Sequence, residues 1–292
     1  MVGALVIAAA VGVPAALLTR GSPSSTNGGS TTPRASPTPG PTTAQAQAQY
    51  RQVLTASEQS AGFHYVAVSS LPGGGGNQTI SGDSGQKDGT QQITETTDYG
   101  SEQFSLVLTP DQNVYFQGNT PALEDQLGVV AGSAAALDGK WILVSLGDGP
   151  YAQLEVGITT TSQLQEDTFV PTATATVQGS GGAALTKVSG TVPAGQEAPE
   201  GGSAYFELPP GSHLPTTYYQ DTTGVGTLTT TFSAWGKAPS VSAPSSSQAW
   251  STLSTSEPPG GYGSGGAPGQ GSSSTPAPSP TPTPTPSPGG PV

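Results

Sequence analysis

The stretch SEQFSLVLT, residues 101–109, places an apolar side chain at every second position, namely Phe104, Leu106 and Leu108. Successive side chains of a strand point to opposite faces of a sheet, so these three share one face. The positions between them are mostly polar. One buried face and one mostly solvated face are typical of an antiparallel sheet, and this stretch predicts the kind of strand from which the domain is built.

Neighbouring segments repeat this short, β-rich pattern. Upstream lie FHYVAVSSL (63–71), NQTISGDSGQ (77–86) and GTQQITETTDY (89–99), and downstream lies NVYFQG (113–118) after a Pro-Asp turn. Such segments, separated by Gly, Pro or Asp, predict consecutive antiparallel strands. The run Gly73–Gly76 lacks the following Lys-Ser/Thr of a phosphate loop, so we interpret it as a hairpin loop.

The period then changes to that of a helix. Thr120 is predicted to cap this helix, Pro121 to stand at its first position and Gly139 to end it. Its apolar stripe consists of Leu123, Leu127, Val130, Ala131 and Ala134. The next segment, WILVSL (141–146), is apolar on both faces, which predicts a central strand.

Further helices and strands follow the same two patterns. Residues 44–60 place Ala46, Tyr50, Val53 and Leu54 at helical spacing and form an amphipathic helix ended by Gly62. Residues 151–167 form one or two short helices. The strand pattern returns after Pro171, in TATATVQG (172–179), ALTKVSGTV (184–192), SAYFEL (203–208) and GTLTTTFSAW (226–235). The order of elements predicts an α+β domain in which helices cover one face of a strongly curved antiparallel sheet.

Composition divides the chain of 292 residues into four parts. Residues 21–43 and 251–292 contain almost no large apolar side chains, which predicts a disordered linker and a disordered tail. Between them, residues 44–250 have the size of one domain. Residues 2–18 carry no charge, and we interpret residues 1–20 as an N-terminal anchor helix that leaves the rest outside the cytoplasm. The alternative is a cleaved signal peptide and a secreted protein.

Several classes of function find no support in the sequence. The net charge is −12 and the four lysines are scattered, which argues against nucleic acid. No cysteine is present, which excludes thiolate catalysis and Cys-ligated metals. His64 and His213 are predicted to be structural or exposed. Carboxylates that could serve glycoside hydrolysis are present, but nothing in the sequence pairs them: Glu95, Asp98, Glu155 and Glu166. We therefore predict no catalytic residue, metal or cofactor.

Several motifs, taken in order, resemble the actinobacterial lipoprotein family typified by LppX and LprG, which shares a fold with the lipoprotein carrier LolA. The motifs are NVYFQG, GKWILVSLGDGP (139–150), TATVQGSGGAALTKVSGTV (174–192), HLPTTYYQ (213–220) and TFSAWGKAPSVSAP (231–244). The last of these is similar to the family's closing strand. There Pro239 suits an edge or an exit from the sheet, and Pro244 is predicted to end strand pairing.

The resemblance implies a half-barrel sheet, with helices over its concave side and a hydrophobic cavity between them. It also implies carriage of a lipid or lipoglycan outside the cytoplasmic membrane. The apolar candidates for the cavity wall are Phe104, Leu106, Leu108, Val114, Phe116, Leu123, Leu127, Val130, Trp141, Leu143, Leu228 and Phe232. The family's lipidated cysteine is missing, so residues 2–18 would provide the membrane contact.

Two other functions stay open at this point. A protein-interaction or sensor module would have a filled core and an exposed apolar patch or free sheet edge. A structural wall protein would depend on the Pro-rich tail, which can extend as a semi-rigid spacer and contact the cell wall. A lipid carrier, by contrast, requires a continuous apolar pocket of roughly 300 Å³ or more.

Overall fold

The computed structural model describes residues 41–70, 76–97, 100–179, 184–195 and 198–255. The predicted anchor, most of the linker, most of the Gly73–Gly76 run and nearly all of the Pro-rich tail lie outside these residues. Among the helices in the described ranges, none is both long and apolar enough to cross a membrane.

The first half of the described chain is a helix followed by a five-stranded meander. Helix α1 (Pro41–Glu58) begins inside the segment predicted as linker, and it buries the predicted side chains Ala46, Tyr50 and Val53. The strands are β1 (Gly62–Ser70), β2 (Gly76–Gly85), β3 (Gly89–Thr97), β4 (Gly100–Leu108) and β5 (Val114–Gly118). All five were predicted, and Asp88 and Asp111 stand in the segments before β3 and β5, as expected of residues that separate antiparallel strands.

Helical segments and then a second run of strands complete the fold. The middle of the chain forms α2 (Thr120–Leu127), α3 (Ala131–Leu137), β6 (Ile142–Val144), α4 (Tyr151–Leu154) and α5 (Thr160–Glu166). The second run is β7 (Val170–Gln178), β8 (Ala184–Val192), β9 (Gly202–Leu208), β10 (Thr217–Thr222) and β11 (Gly226–Ser233). A two-residue strand, β12 (Gln248–Ala249), and a 3-10 turn (Trp250–Thr252) end the described chain.

All of these strands belong to one sheet, in the order β12-β6-β5-β4-β3-β2-β1-β11-β10-β9-β8-β7. Neighbouring strands are antiparallel except for β12 and β6, which are parallel. The two edge strands, β12 and β7, do not pair with each other within the described residues, so the sheet is an open, curved half-barrel. The predicted fold class, an antiparallel half-barrel with helices on its concave face, is confirmed.

Two apolar clusters fill the concave side of the sheet. One packs α2, α3 and α4 against β3 to β6 and includes Leu123, Phe116 and Ile142. The other packs α1 against β1 and β7 to β11 and includes Val53 and Phe206. Ile80 on β2 touches both clusters, so the middle of the sheet is where the two cores meet.

The predicted single helix after residue 119 is interrupted, and this prediction is wrong in two details. Asn119, and not Thr120, is the N-cap, and its side chain accepts hydrogen bonds from Ala122 N and Gln103 N. Gly128 then adopts a left-handed conformation (φ 65°), which ends α2 early. Val130 caps α3 as a separate helix, since a left-handed residue cannot continue the hydrogen-bond ladder of α2.

The segment WILVSL does not form a central strand, contrary to the prediction. Its strand β6 is three residues long and stands next to the edge of the sheet. Ile142 and Val144 face the core, while Leu146 is 68% exposed beyond the strand. The edge of β6 pairs with β12, and Trp250 packs against the cluster that contains Ile142 and Val144.

The closing stretch TFSAWGKAPSVSAP also differs from its prediction in position. Its strand β11 is last among the long strands in sequence but lies in the middle of the sheet, between β1 and β10. The predicted exit before Pro239 is observed, since β11 ends at Ser233 and Gly236 (φ 83°) turns the chain back to Gly62 O. Pairing does not end at Pro244, because β12 follows and joins β6.

Candidate ligand-binding site

The continuous strand registers align the inward-facing residues of β11, β1, β2, β3 and β4 into rows across the concave face. The middle row runs Thr230, Ala67, Ile80, Ile93, Phe104. Two residues further along each strand, toward one end of the sheet, lies a second row: Leu228, Ser69, Gln78, Glu95, Glu102. We call the last four residues of this second row the polar row. An apolar floor therefore borders directly on a line of polar side chains.

A cavity of about 80 Å³ lies over the middle row, beneath α2, α4, α5 and the loop between the last two. Its wall consists of Tyr65, Ala67, Ser69, Gln78, Ile80, Gln91, Ile93, Phe104, Leu106, Gln126, Gln153, Leu154, Val156, Gly157, Gln163, Leu228 and Thr230. A cavity needs roughly 10–15 Å³ of this kind of volume to hold one water, so this cavity admits several waters. It is smaller than the roughly 300 Å³ expected of a lipid carrier.

Tyr65 joins the floor of the cavity to its roof. Its hydroxyl donates to Gly157 O at 3.2 Å and accepts from Gln91 Nε2 at 2.7 Å. The ring lies over Gly82 on β2, where an added Cβ would stand 2.8 Å from the tyrosine Cε1. The same Cβ would stand 2.5 Å from Thr90 O, so the ring and the neighbouring strand together require glycine at position 82, an otherwise isolated Gly within a strand.

Short helical pieces form the roof. Gln126 on α2 accepts a hydrogen bond from Gln153 Nε2 on α4 at 3.2 Å. Gly157, in the loop before α5, has a left-handed backbone (φ 72°). Helices of four to eight residues are not stable alone and depend on tertiary contacts. Two hydrogen bonds, from Gln153 to Gln126 and from Tyr65 to Gly157, join these pieces to each other and to the floor, and the buried Leu127 and Leu154 fix α2 and α4 in the core.

The polar row ends in carboxylates. Glu95 on β3 lies directly opposite Glu102 on β4, and Asp125 stands nearby on α2. Burial, then the charge of Glu102, raises the pKa of Glu95 to about 7, although the Gln78 hydrogen bond partly opposes this shift. Burial likewise raises the pKa values of Glu102 and Asp125.

Amides are the hydrogen-bond donors to these carboxylates. Gln78 Nε2 donates to Glu95 at 3.3 Å, and Gln126 Nε2 donates to Glu102 and to Asp125 at 3.1 Å each. Within the described ranges, the one ion pair joins His64 to Asp83 at 2.9 Å. These two residues point to the face of the sheet opposite to that of Tyr65 and Gly82. No described cation therefore pairs with these three carboxylates, which lie behind the cavity-lining Gln78 and Gln126.

Two buried polar groups near the cavity lack hydrogen-bond partners. Thr230 lines the cavity with 0% exposure, and its Oγ1 has no partner. Asp167, after α5, is also fully buried, and neither carboxylate oxygen has a partner of normal geometry. Burial raises the pKa of Asp167 to about 8, against a smaller opposing effect of the nearby Gln163.

The structure brings three of the twelve predicted wall residues to the cavity: Phe104, Leu106 and Leu228. Six others are buried in the two clusters as core: Leu108, Val114, Phe116, Leu123, Leu127 and Phe232. The remaining three are half-buried away from the cavity wall: Val130, Trp141 and Leu143. Helix α2 and the strands β4 to β6 pack too closely to leave space between them.

The sequence reasoning missed the wall contributed by β1, β2 and β3. It considered apolar side chains only, whereas seven of the 17 wall residues are serine, threonine or glutamine, and five of these are glutamines. The available signal was the alternation itself, since Tyr65, Ala67 and Ser69 occupy every second position of one strand. Inward-facing Gln, Ser and Thr at such positions indicate an unfilled or polar interior.

The groups considered for catalysis are scattered. His213 is exposed in a turn, as predicted, and Glu155 is exposed after α4. Asp98 and the side chain of Glu166 lie outside the described residues. Glu95 is paired across the sheet, but with Glu102, which the sequence reasoning did not consider. Among the residues that the structure describes, no group of three His, Cys, Asp or Glu could hold a metal ion.

Comparisons with known proteins find similar structures only. No family model matches the chain, and no curated protein matches it. The lipoprotein LppX of Mycobacterium tuberculosis is 18% identical and has a TM-score of 0.42, with 68% of this chain and 99% of that chain covered. LprF of Mycobacterium bovis is 16% identical and has a TM-score of 0.43, with 70% of this chain and 98% of that chain covered.

A DUF1329 family protein of Desulfovibrio piger is 10% identical and has a TM-score of 0.30, with 68% of this chain and 95% of that chain covered. The comparison of structures thus finds LppX again, the protein that typifies the family named from the sequence motifs. The chain is similar to the mycobacterial lipoproteins LppX and LprF over about two thirds of its length.

Proposed function

We propose that this chain is an extracytoplasmic, membrane-anchored protein that binds a lipid or another apolar ligand between its sheet and its helices. The observation that carries the proposal is the cavity over the middle row, whose floor includes Ala67, Ile80 and Ile93. Burial of an acyl chain on such a floor is favourable by about 0.8 kcal/mol per CH₂ group. Binding of this kind needs no catalytic group.

The cavity must enlarge to admit an acyl chain, and the roof supplies the means. Helices α2, α4 and α5 are short, and the loops beside them contain Gly128 and Gly157 in left-handed conformations. Displacement of the roof would break the hydrogen bonds from Gln153 to Gln126 and from Tyr65 to Gly157. The sheet floor would stay intact, because its strands pair continuously from β5 to β7.

The test is native mass spectrometry of the full chain, purified from an actinobacterial host, followed by organic extraction. A discrete added mass that extracts as lipid is the expected result. The matched variants are Ala67→Leu, which fills the cavity, and Ala175→Leu, which adds the same atoms at an exposed position of β7. An apo mass for the wild-type chain, with no uptake of added phospholipid or glycolipid, would contradict the proposal.

A second candidate is the protein-interaction module, and the small cavity favours it. A volume of about 80 Å³ is compatible with a filled core. The edge strand β7 also offers a free row of backbone groups, and most of its side chains are exposed. This candidate predicts that Ala67→Leu leaves partner binding unchanged, while substitutions on β7 abolish partner binding.

Further parts of the proposal concern segments outside the described residues. Residues 2–18 would anchor the protein, residues 21–40 would space it from the membrane, and the tail would contact the cell wall. Washing of membranes with high salt should leave the full chain bound and release a chain that lacks residues 1–20. Release of the full chain by the same wash would support the secreted alternative.

A further inference from the structure

Helix α5 turns a mostly polar stripe toward the interior of the domain. Thr160, Gln163, Leu164 and Asp167 stand at positions i, i+3, i+4 and i+7, a spacing that places them on one face of the helix. Each of the four is at most 5% exposed. A surface helix of a globular protein usually buries an apolar stripe, but three of these four side chains are polar. The inner face of α5 is therefore unfavourable to keep away from water.

The hydrogen bonds of this buried face are incomplete. Thr160 Oγ1 and both carboxylate oxygens of Asp167 are fully buried and have no partner of normal geometry. Helix α5 packs against α1 and β2, and each of these elements also carries a buried hydroxyl without a partner, Ser57 on α1 and Ser84 on β2. A buried polar group without a partner forfeits the hydrogen bonds that water would give it. Movement of α5 would restore such bonds to Thr160 and Asp167.

The other roof helices are anchored by apolar side chains, and α5 is not. Leu123 on α2 and Leu154 on α4 belong to the apolar cluster of β3 to β6. Neither apolar cluster in the described part of the chain includes a residue of α5. Gly157 (φ 72°) precedes the helix, and a capping box of Thr159 and Ser162 holds its first turn together. Helix α5 can therefore move as one unit while α2 and α4 stay in place.

Asp167 links the position of this helix to protonation. The titratable groups that face its carboxyl are the hydroxyls of Tyr50 on α1 and Tyr218 on β10, and the neutral amide of Gln163 lies on its own helix. An ionised carboxylate in such surroundings requires a cation or several hydrogen bonds. Burial accordingly raises the pKa of Asp167 to about 8. The closed helix therefore holds a neutral carboxyl, whereas contact with water favours the ionised form.

We propose that α5 is the movable lid of the cavity, which neutral Asp167 keeps closed and which opens as this carboxyl meets water and ionises. The lid and the loop before it supply Val156, Gly157 and Gln163 to the cavity wall. On the outer face of α5, Thr161 and Gln165 are exposed, so this helix separates the cavity from solvent. The inference rests on the proposed apolar-ligand function and adds its regulation, since the lid opens more often as the pH rises.

The test uses the absence of cysteine from the chain, because a single introduced thiol then reports opening through its reaction with dithiodipyridine. Leu164→Cys places the thiol under α5, and Leu154→Cys makes the same change under α4; the two leucines are 3% and 2% exposed. Each rate for the full chain is divided by that of the same chain unfolded in urea at the same pH, which removes the titration of the thiol itself.

Leu164→Cys is expected to react at least about tenfold faster than Leu154→Cys at pH 8, and its normalised rate should rise by up to about tenfold per pH unit from pH 6 to pH 8. Adding Asp167→Asn, which keeps the side-chain shape, should abolish this rise. The control Asp221→Asn removes a charge at an exposed position of β10 and should preserve it. Hydrogen exchange of α5 and α4 in the unsubstituted chain makes the same comparison without any substitution.

Equal normalised rates for the two cysteines, or a rise with pH that survives Asp167→Asn, overturn the lid. Transfer of a pyrene-labelled phosphatidylglycerol from vesicles at pH 6 and pH 8 then separates the lid from the binding function. Faster uptake at pH 8, with no effect of pH for Asp167→Asn, supports both. Uptake that is equal at the two pH values overturns the lid and leaves the binding function standing. Opening of α5 without uptake at either pH leaves the lid standing and overturns the apolar-ligand function.

Discussion

The indole N–H of Trp250 donates a hydrogen bond to the carbonyl oxygen of Leu127 at 3.0 Å, although 123 residues separate the two in sequence. Leu127 is the last residue of α2, where helix carbonyls have no partner within the helix. Ser254 O accepts from Val130 N in the same region at 3.1 Å. The C-terminal end of the described chain therefore closes the break between α2 and α3.

Substitution Trp250→Phe should lower the free energy of unfolding by about 1 to 3 kcal/mol, because the buried carbonyl of Leu127 loses its donor while the aromatic packing remains. Urea denaturation of the full chain measures this change. The control is Thr252→Ala, since the hydroxyl of Thr252 bonds to Ala249 O at an exposed site and should matter less. Equal stability of Trp250→Phe and wild type would show that the residue acts through packing alone.

Substitution by alanine should change stability in opposite directions at two glycines that are only four positions apart. Gly128 ends α2 with φ 65°, so Gly128→Ala should destabilise the protein by about 1 kcal/mol. Gly132 lies within α3, where an added Cβ meets nothing within 4 Å, so Gly132→Ala should stabilise it by about 0.5 to 1 kcal/mol. Thermal unfolding of both variants tests the pair, and a shift in the same direction for both would contradict the assigned break.

Asp167 should make the protein less stable as the pH rises. Burial raises its pKa to about 8 in the folded protein from the ordinary aspartate value of 3.8, so the folded state holds a proton that the unfolded chain releases. The stability that this group contributes is complete below pH 3.8 and decreases by about 1.4 kcal/mol per pH unit up to about pH 8.

The variant Asp167→Asn removes this titration. Its advantage in unfolding free energy over wild type should grow between pH 5 and pH 8, as measured by denaturation at several pH values. Tyr50 and Tyr218 lie nearby, and the charge of Asp167 contributes to their raised pKa values, after burial. A difference between variant and wild type that does not depend on pH would disprove the buried, protonated state.

Filling the cavity should stabilise the empty protein and block ligand uptake. Ala67→Leu adds three carbons over the middle row, where the cavity of about 80 Å³ offers the space. We expect no loss of stability and a loss of any extracted lipid, whereas Ala175→Leu on exposed β7 keeps the lipid. Destabilisation by more than about 1 kcal/mol would mean that the roof does not leave the space described.

Much of this architecture could be predicted from local sequence. Strict alternation, as in Phe104, Leu106 and Leu108, identified β4, and turn residues separated it from its neighbours. Helix α1 followed from the spacing of Ala46, Tyr50 and Val53. Such periodicities arise from backbone geometry within a few residues, so they can be read without knowing the fold.

The order of strands and the boundary of the core needed the tertiary structure. β11 is last among the long strands in sequence yet central in the sheet, and β12 covers β6 through contacts across more than a hundred residues. The carbonyl of Leu127 at the end of α2 likewise accepts its hydrogen bond from Trp250, which is distant in sequence. Long-range pairing leaves no periodic signal in either segment alone.

The sequence by itself determined the α+β class, the inward-facing side chains of each strand and the excess of negative charge. Only the tertiary structure decided which of those side chains share a row. It placed Glu95 opposite Glu102 and put Thr230 against Ala67, because strand register is set by the pairing of whole strands. A binding site built from one or two residues per strand exists only after that register is formed.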